Sequence, residues 1–291
     1  MTVQIRVTVP GSCGELVQGT VRGVPFLITC PVNIFTRVIV STAEPGGHSG
    51  LGRKSQLALA RTLEYLGVDS FPFHIRLKSE LPIGKGMASS SADIAAVCIA
   101  AAATFGETLT ADEISRLAAG VEPTDGIFFP GVVRMNQMTG KCFESFGELP
   151  ALQIAAFDCG GAVDTLSFHE RADLGSLNRQ NEALVSEALT IFQKNPTAEG
   201  IAEAATKSAL ANQSILYKDN LEKLVADVKE MGALGINAAH SGTVIGVLFA
   251  PDGKQAVIDK VVDNLMLRYH RLRFLQQMKL ISGGYKIKID R

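Results

Sequence analysis

One stretch, LPIGKGMASSSADIAAVCIAAAA at residues 81–103, limits what this chain can fold into more than any other. Gly84 and Gly86 allow backbone conformations that a Cβ disfavours, and Ser89, Ser90 and Ser91 favour the start of a helix. After Asp93 almost every residue is apolar, the pattern of a helix enclosed in a core. A loop therefore feeds a helix N-terminus. The unpaired N–H groups and partial positive charge of such a terminus suit an anion, and a phosphate above all. An ordinary capped core helix carries similar letters, so the rest of the chain has to decide.

The uninterrupted apolar run at residues 94–103 is about half of the roughly 20 residues that cross a bilayer, so no membrane anchor is expected. The opening MTVQIRVTVP alternates Val3, Ile5, Val7 and Val9 with polar residues, which reads as a half-buried strand rather than a targeting segment. Lys plus Arg total 28 against 29 for Asp plus Glu, and a net charge of -1 gives no general attraction for nucleic acid or an anionic membrane. Cys13, Cys30, Cys98, Cys142 and Cys159 are scattered, odd in number and without a Cys-x-x-Cys pair. That usage fits a reducing compartment, the cytoplasm by default, better than a disulfide framework or a zinc site.

The 291 residues suffice for two domains, with a boundary expected near residue 150. Before it, PGSCGELVQG reads as a tight glycine-rich segment, PFLITCPVNIFTRVIV as proline-broken strand, and SGLGRKSQLALARTLEYLG as a helix with Leu59, Leu63 and Leu66 in register. FPFHIRLKSEL returns to a strand, residues 112–120 suggest a helix, and VEPTDGIFFPGVVRMN a turn and a strand. Beyond the boundary, LQIAAFDCGG is a strand, followed by helices at 177–193, 198–214 and 221–231. The glycine-rich turn in AAHSGTVIGVLFA leads into a strand, then a helix at about 254–270 and a closing strand GGYKIKID. The two halves are expected to pack closely around a shared cleft.

The familiar nucleotide loops do not fit. Lys85 is followed by Gly86 rather than Ser or Thr, and Ser89 stands where a dinucleotide loop needs its third glycine. What does match is Pro-x-Gly-x-Gly-hydrophobic-small-Ser-Ser, as Pro82, Gly84, Gly86, Met87, Ala88, Ser89 and Ser90, and this resembles the phosphate loop of the GHMP kinases. PGSCGELVQG is similar to that family's N-terminal substrate motif, and HSGTVIGVLF to its C-terminal glycine-rich motif. The resemblance implies an α+β fold of two domains: an ATP-binding N-terminal mixed α/β domain at 1–150 with a mostly antiparallel sheet, and a ferredoxin-like C-terminal α/β domain at 151–291. Within the family, the wordings PGSCGELVQG, CPVNIF, GKGMASSSADI and EPTDG resemble the branch that makes O-phospho-L-threonine from ATP and L-threonine for the cobalamin nucleotide loop. Homoserine kinase, or another small-molecule kinase of the family, is one alternative. A non-catalytic nucleotide or ligand sensor on the same fold is the other.

The resemblance implies ATP and Mg2+, small-molecule partners only, and admits a homodimer. Pro82, Gly84, Lys85, Gly86, Met87, Ala88, Ser89, Ser90 and Ser91 would cradle the nucleotide phosphates, with Ser90 and Glu122 as the magnesium ligands. Asp125, on the turn set by Pro123 and Gly126, would face the acceptor hydroxyl as base or orienting group. Glu15 is the candidate partner for a substrate ammonium and Arg134 for a carboxylate, while Ser241, Gly242 and Thr243 would approach the substrate from the other domain. Ser12 stands where many of the family carry a lysine, so a cationic helper is missing there. Cys13 reads as packing, since no histidine neighbours it in sequence, and His240 as a turn or core residue.

Overall fold

The alternation seen at the start of the chain is realised from Gln4 onward: in the computed structural model, which describes residues 3–161, 163, 168 and 170–290, Ile5, Val7 and Val9 are buried and Gln4, Arg6 and Thr8 are not. Strand β1 (Gln4–Val21) runs on through PGSCGELVQG, where the sequence pattern predicts a tight turn. Its pairing with β2 (Val24–Pro45) absorbs the prolines and glycines as register shifts at Pro10/Gly11, Ser12/Glu15 and Glu15/Val17. Bulges of this kind bend a strand and re-aim its side chains.

Antiparallel β4 (Phe73–Ser79) continues the sheet beyond β2, and the short β3 (Gly47–Ser49) lies parallel to β4. β5 (Val132–Met135) pairs with β2 and with β6 (Cys142–Gly147). Against these strands pack α1 (Arg53–Leu66), α2 (Ser89–Thr104) and α3 (Ala111–Ala119), the last opened by a capping box from Thr110 and Glu113. Residues 94–102 of α2 are buried without a break. The face of α1 that is buried is Ser55, Ala58 and Thr62, with Leu59, Leu63 and Leu66 half-buried beside it. Small residues on both helices let the backbones approach closely, so the leucine stripe flanks the contact rather than forming its centre.

In the second half, β7 (Gln153–Asp158) is followed by α4 (Leu174–Lys194), α5 (Ala198–Ala211) and α6 (Leu221–Glu230). Then come β8 (Gly235–Ala238), β9 (Val244–Phe249), α7 (Gln255–Arg268) and β10 (Arg273–Lys279). The antiparallel order β10-β7-β9-β8 is the ferredoxin-like arrangement. β8 and β10 are not predicted by the sequence pattern. β8 is four residues long and merges into a glycine-rich turn, and most of β10 is exposed or half-buried at the sheet edge. A bridge from Ala238 to Glu15 joins β8 to β1, and β11 (Lys286–Asp290) returns to pair with β1, so one 11-stranded sheet runs through both halves. No helix among the described residues is long and apolar enough to cross a membrane.

Candidate active site

The glycine-serine loop enters α2 through Ala88, held in the left-handed region at φ 55°. The serines do not cap the helix, contrary to their expected role: they occupy its first turn, and no side chain caps its N-terminus. Ser91 is engaged elsewhere. Its Oγ donates to Asp125 Oδ2 at 2.9 Å and accepts from the Asp125 N–H at 3.2 Å. The first-turn N–H groups are thereby left for a ligand, in a cavity of about 150 Å³ lined by Ser89, Ser90 and Ser91.

The loop is braced from behind by backbone. Ser12 N–H donates to the Met87 carbonyl at 3.0 Å, Gly14 N–H to Gly86 at 3.1 Å, and the N–H groups of Thr243 and Val244 both to Lys85, each at 3.0 Å. A Cβ on Gly86 would lie 2.3 Å from Ala239 Cβ, and one on Gly242 would lie 2.5 Å from Gly86 Cα. Two glycines from distant segments therefore meet back to back.

Across the cavity stand Glu122 and Asp125, with Glu15 from β1 and Ser241 from the turn between β8 and β9. Burial pushes the Asp125 carboxyl up to about 7; the Glu15 charge and, less strongly, the Glu122 charge push the same way, against hydrogen bonds from Ser91 and Thr29. Glu122 is buried and ion-paired to Lys54 at the start of α1, whose ammonium also lines the cavity. Lys54 carries no signal in the sequence because its pairing spans 68 positions. Glu15, 5% exposed, accepts the His240 N–H at 2.8 Å.

Other expected residues are placed elsewhere. Lys85 turns away from the cavity to Asp158 Oδ2 and the Gly161 carbonyl, both at 2.6 Å. Thr243 donates to Asp158 Oδ1 at 2.6 Å and Gly242 backs onto Gly86, and these two and Pro82 lie outside the cavity lining. Arg134 lies over the rings of Phe26 and Phe143, beside Glu144 and away from the cavity. Burial raises the Cys13 thiol to about 12, which suits packing and not nucleophilic attack. His240 is buried, with Nδ1 3.1 Å from the Ala238 carbonyl and Nε2 3.0 Å from Ser208 Oγ, a structural setting.

A helix N-terminus open to an anion, a lysine and a buried carboxylate near neutrality meet in one cleft, a set suited to phosphoryl transfer by positioning and charge neutralisation. The family model described as GHMP kinases N terminal domain matches residues 50–129, which span Lys54, the loop, Glu122 and Asp125. The chain is 31% identical over 289 residues to an L-threonine kinase of Citrobacter freundii, covering 96% of this chain and 98% of that protein. Its fold is similar to a crystal structure of mevalonate kinase, with TM-score 0.68 and 15% identity over 98% of this chain and 100% of that one. It is also similar to homoserine kinase from Cytophaga hutchinsonii, with TM-score 0.65 and 16% identity over 98% and 97% of the two chains.

Proposed function

The chain belongs to the GHMP kinases, ATP-dependent enzymes acting on small molecules, and from that premise we propose that it transfers the γ-phosphoryl group of ATP to the hydroxyl of L-threonine. The observation that carries the reading is the placement of Asp125, a buried carboxyl near pKa 7, in the same cleft as the N-terminus of α2. The L-threonine kinase of Citrobacter freundii, related along almost its whole length, supports the choice of acceptor. The motif wording further supports use of O-phospho-L-threonine in the cobalamin nucleotide loop.

The first-turn N–H groups of α2 receive the nucleotide phosphates, and Lys54 offsets part of their charge. Asp125, whose carboxyl burial raises to about 7, accepts the proton of the acceptor hydroxyl as its oxygen bonds to the γ-phosphorus and ADP leaves. Magnesium fits the donor set. Ser90 and Glu122 both line the cleft and offer the oxygen ligands that this hard cation prefers, Glu122 with Lys54 already on one of its two oxygens. They would hold the ion, which when bound neutralises charge on the nucleotide phosphates.

The likeness to a homoserine kinase fold keeps that acceptor as the second reading. Turnover of ATP against a panel of hydroxy amino acids separates the two. L-Threonine is expected to lead, with serine trailing by about 10- to 200-fold, the range that one methyl group commands in an apolar pocket. Homoserine running far ahead of threonine would move the assignment to homoserine kinase, and ATP binding without transfer to any acceptor would indicate a sensor.

A further inference from the structure

The phosphate cleft has a larger neighbour, a cavity of about 370 Å³ between β1, α4 and the end of α5. Gln18 and Gln137 line both spaces. Each is fixed through its backbone. Gln18 N–H donates to Ser208 Oγ at 3.0 Å, and the Gln137 carbonyl accepts the N–H of Thr124, the residue before Asp125, at 2.9 Å. Gln137 is only 6% exposed. Yet the amide oxygens of both side chains are shielded from solvent and have no hydrogen-bond partner among the described residues. Buried acceptors are ordinarily paired, and two orphans on residues that line both cavities point to side chains that turn to meet a donor when a ligand enters.

We propose that Gln18 and Gln137, together with Glu15, recognise the α-ammonium group of the acceptor. This rests on the reading of the acceptor as an amino acid. An ammonium has three N–H donors and no acceptor, so its complement is a set of oxygens. Glu15 supplies the charge, with one oxygen held by the His240 N–H, and the two amides supply neutral acceptors at the junction of the cavities. A sugar or a hydroxy acid without the amino group leaves these acceptors unpaired, which makes the pair a determinant of specificity. A site built to bond a polar group rejects analogues lacking it far more strongly than an apolar pocket rejects a missing methyl.

The test compares kcat/KM for L-threonine with that for 3-hydroxybutyrate, the same acceptor without its amino group. The wild-type protein should favour threonine by about 10⁴-fold or more. Gln18→Leu and Gln137→Leu should each cut kcat/KM for threonine by roughly 10- to 100-fold, mainly through KM. The residual rate on 3-hydroxybutyrate and the affinity for ATP should hold, so that the preference collapses. Gln137→Glu, which keeps an acceptor, should retain the preference that leucine removes, and it carries the comparison if a leucine variant fails to fold. Equal losses on both acceptors, or an unchanged preference, would overturn the proposal. If the wild-type protein uses homoserine instead of threonine, the acceptor assignment fails by itself. The same variants are then read on homoserine and 4-hydroxybutyrate, with the same outcomes deciding. A protein that phosphorylates the deaminated acceptors as readily as the amino acids refutes the recognition site outright.

Discussion

Asp125→Asn is expected to lower kcat by about 10²- to 10⁴-fold while ATP still binds, because the swap preserves size and removes the group proposed to take the hydroxyl proton. The carboxyl is held near pKa 7 by burial and by the charges of Glu15 and Glu122. The wild-type rate should therefore rise with pH on a limb centred near 7, and the asparagine variant should lack that limb. Stability moves the opposite way. A folded-state pKa raised above the unfolded value makes the contribution of Asp125 to stability fully present below about pH 4 and progressively lost as pH rises through about 7. Asp93, raised to about 6 by burial despite its bond from Thr36, adds a loss of the same sign in a lower window. Relative to wild type, the asparagine variant should therefore melt progressively higher as the buffer is taken from pH 5 to pH 8, in the same protein preparations used for the kinetics. A loss of turnover below tenfold would mean transfer by positioning alone. Loss of ATP binding as well would mean that Asp125 holds the loop or the cation.

Gly86→Ala is expected to abolish measurable ATP binding and to lower the melting temperature together, since the new Cβ would sit 2.3 Å from Ala239 Cβ and 3.0 Å from Gly242 Cα. The residue is also at φ 81°, where a side chain adds about 1 kcal/mol or more of strain. Gly106→Ala separates the two causes. It has nearly the same φ, 80°, and a Cβ there would meet nothing within 4 Å, so it should show the strain without the loss of ATP. Equal effects of the two substitutions on ATP affinity would refute the back-to-back glycine contact as the brace of the loop.

What could be read directly from the chain was local. The loop into α2 was legible because glycines, serines and an apolar run lie side by side, and the helices α1 to α7 because their periodicity is long. The segment at residues 10–19 misled because Pro10, Gly11 and Gly14 signal a turn in one dimension, whereas pairing with β2 turns the same irregularities into bulges. The serines read as caps by residue type alone, but the helix start is set by Ala88, whose left-handed conformation depends on the tertiary setting. Lys54, Gln18 and Gln137 carry no local signal at all: their roles come from partners, or missing partners, that only the folded chain brings near. Lys85 shows the converse, a lysine in the motif that the fold commits to Asp158.

In the proposed reaction this cleft moves a phosphoryl group from ATP to a threonine hydroxyl. The most direct measurement incubates the purified protein with ATP, magnesium and L-threonine, and identifies the product by mass and by phosphorus NMR. One O-phospho-L-threonine formed for each ADP, none without magnesium and none with Asp125→Asn on the same timescale, is the predicted result. ADP released without a phosphorylated amino acid, or a phosphoryl group found on the protein instead of on threonine, would contradict it.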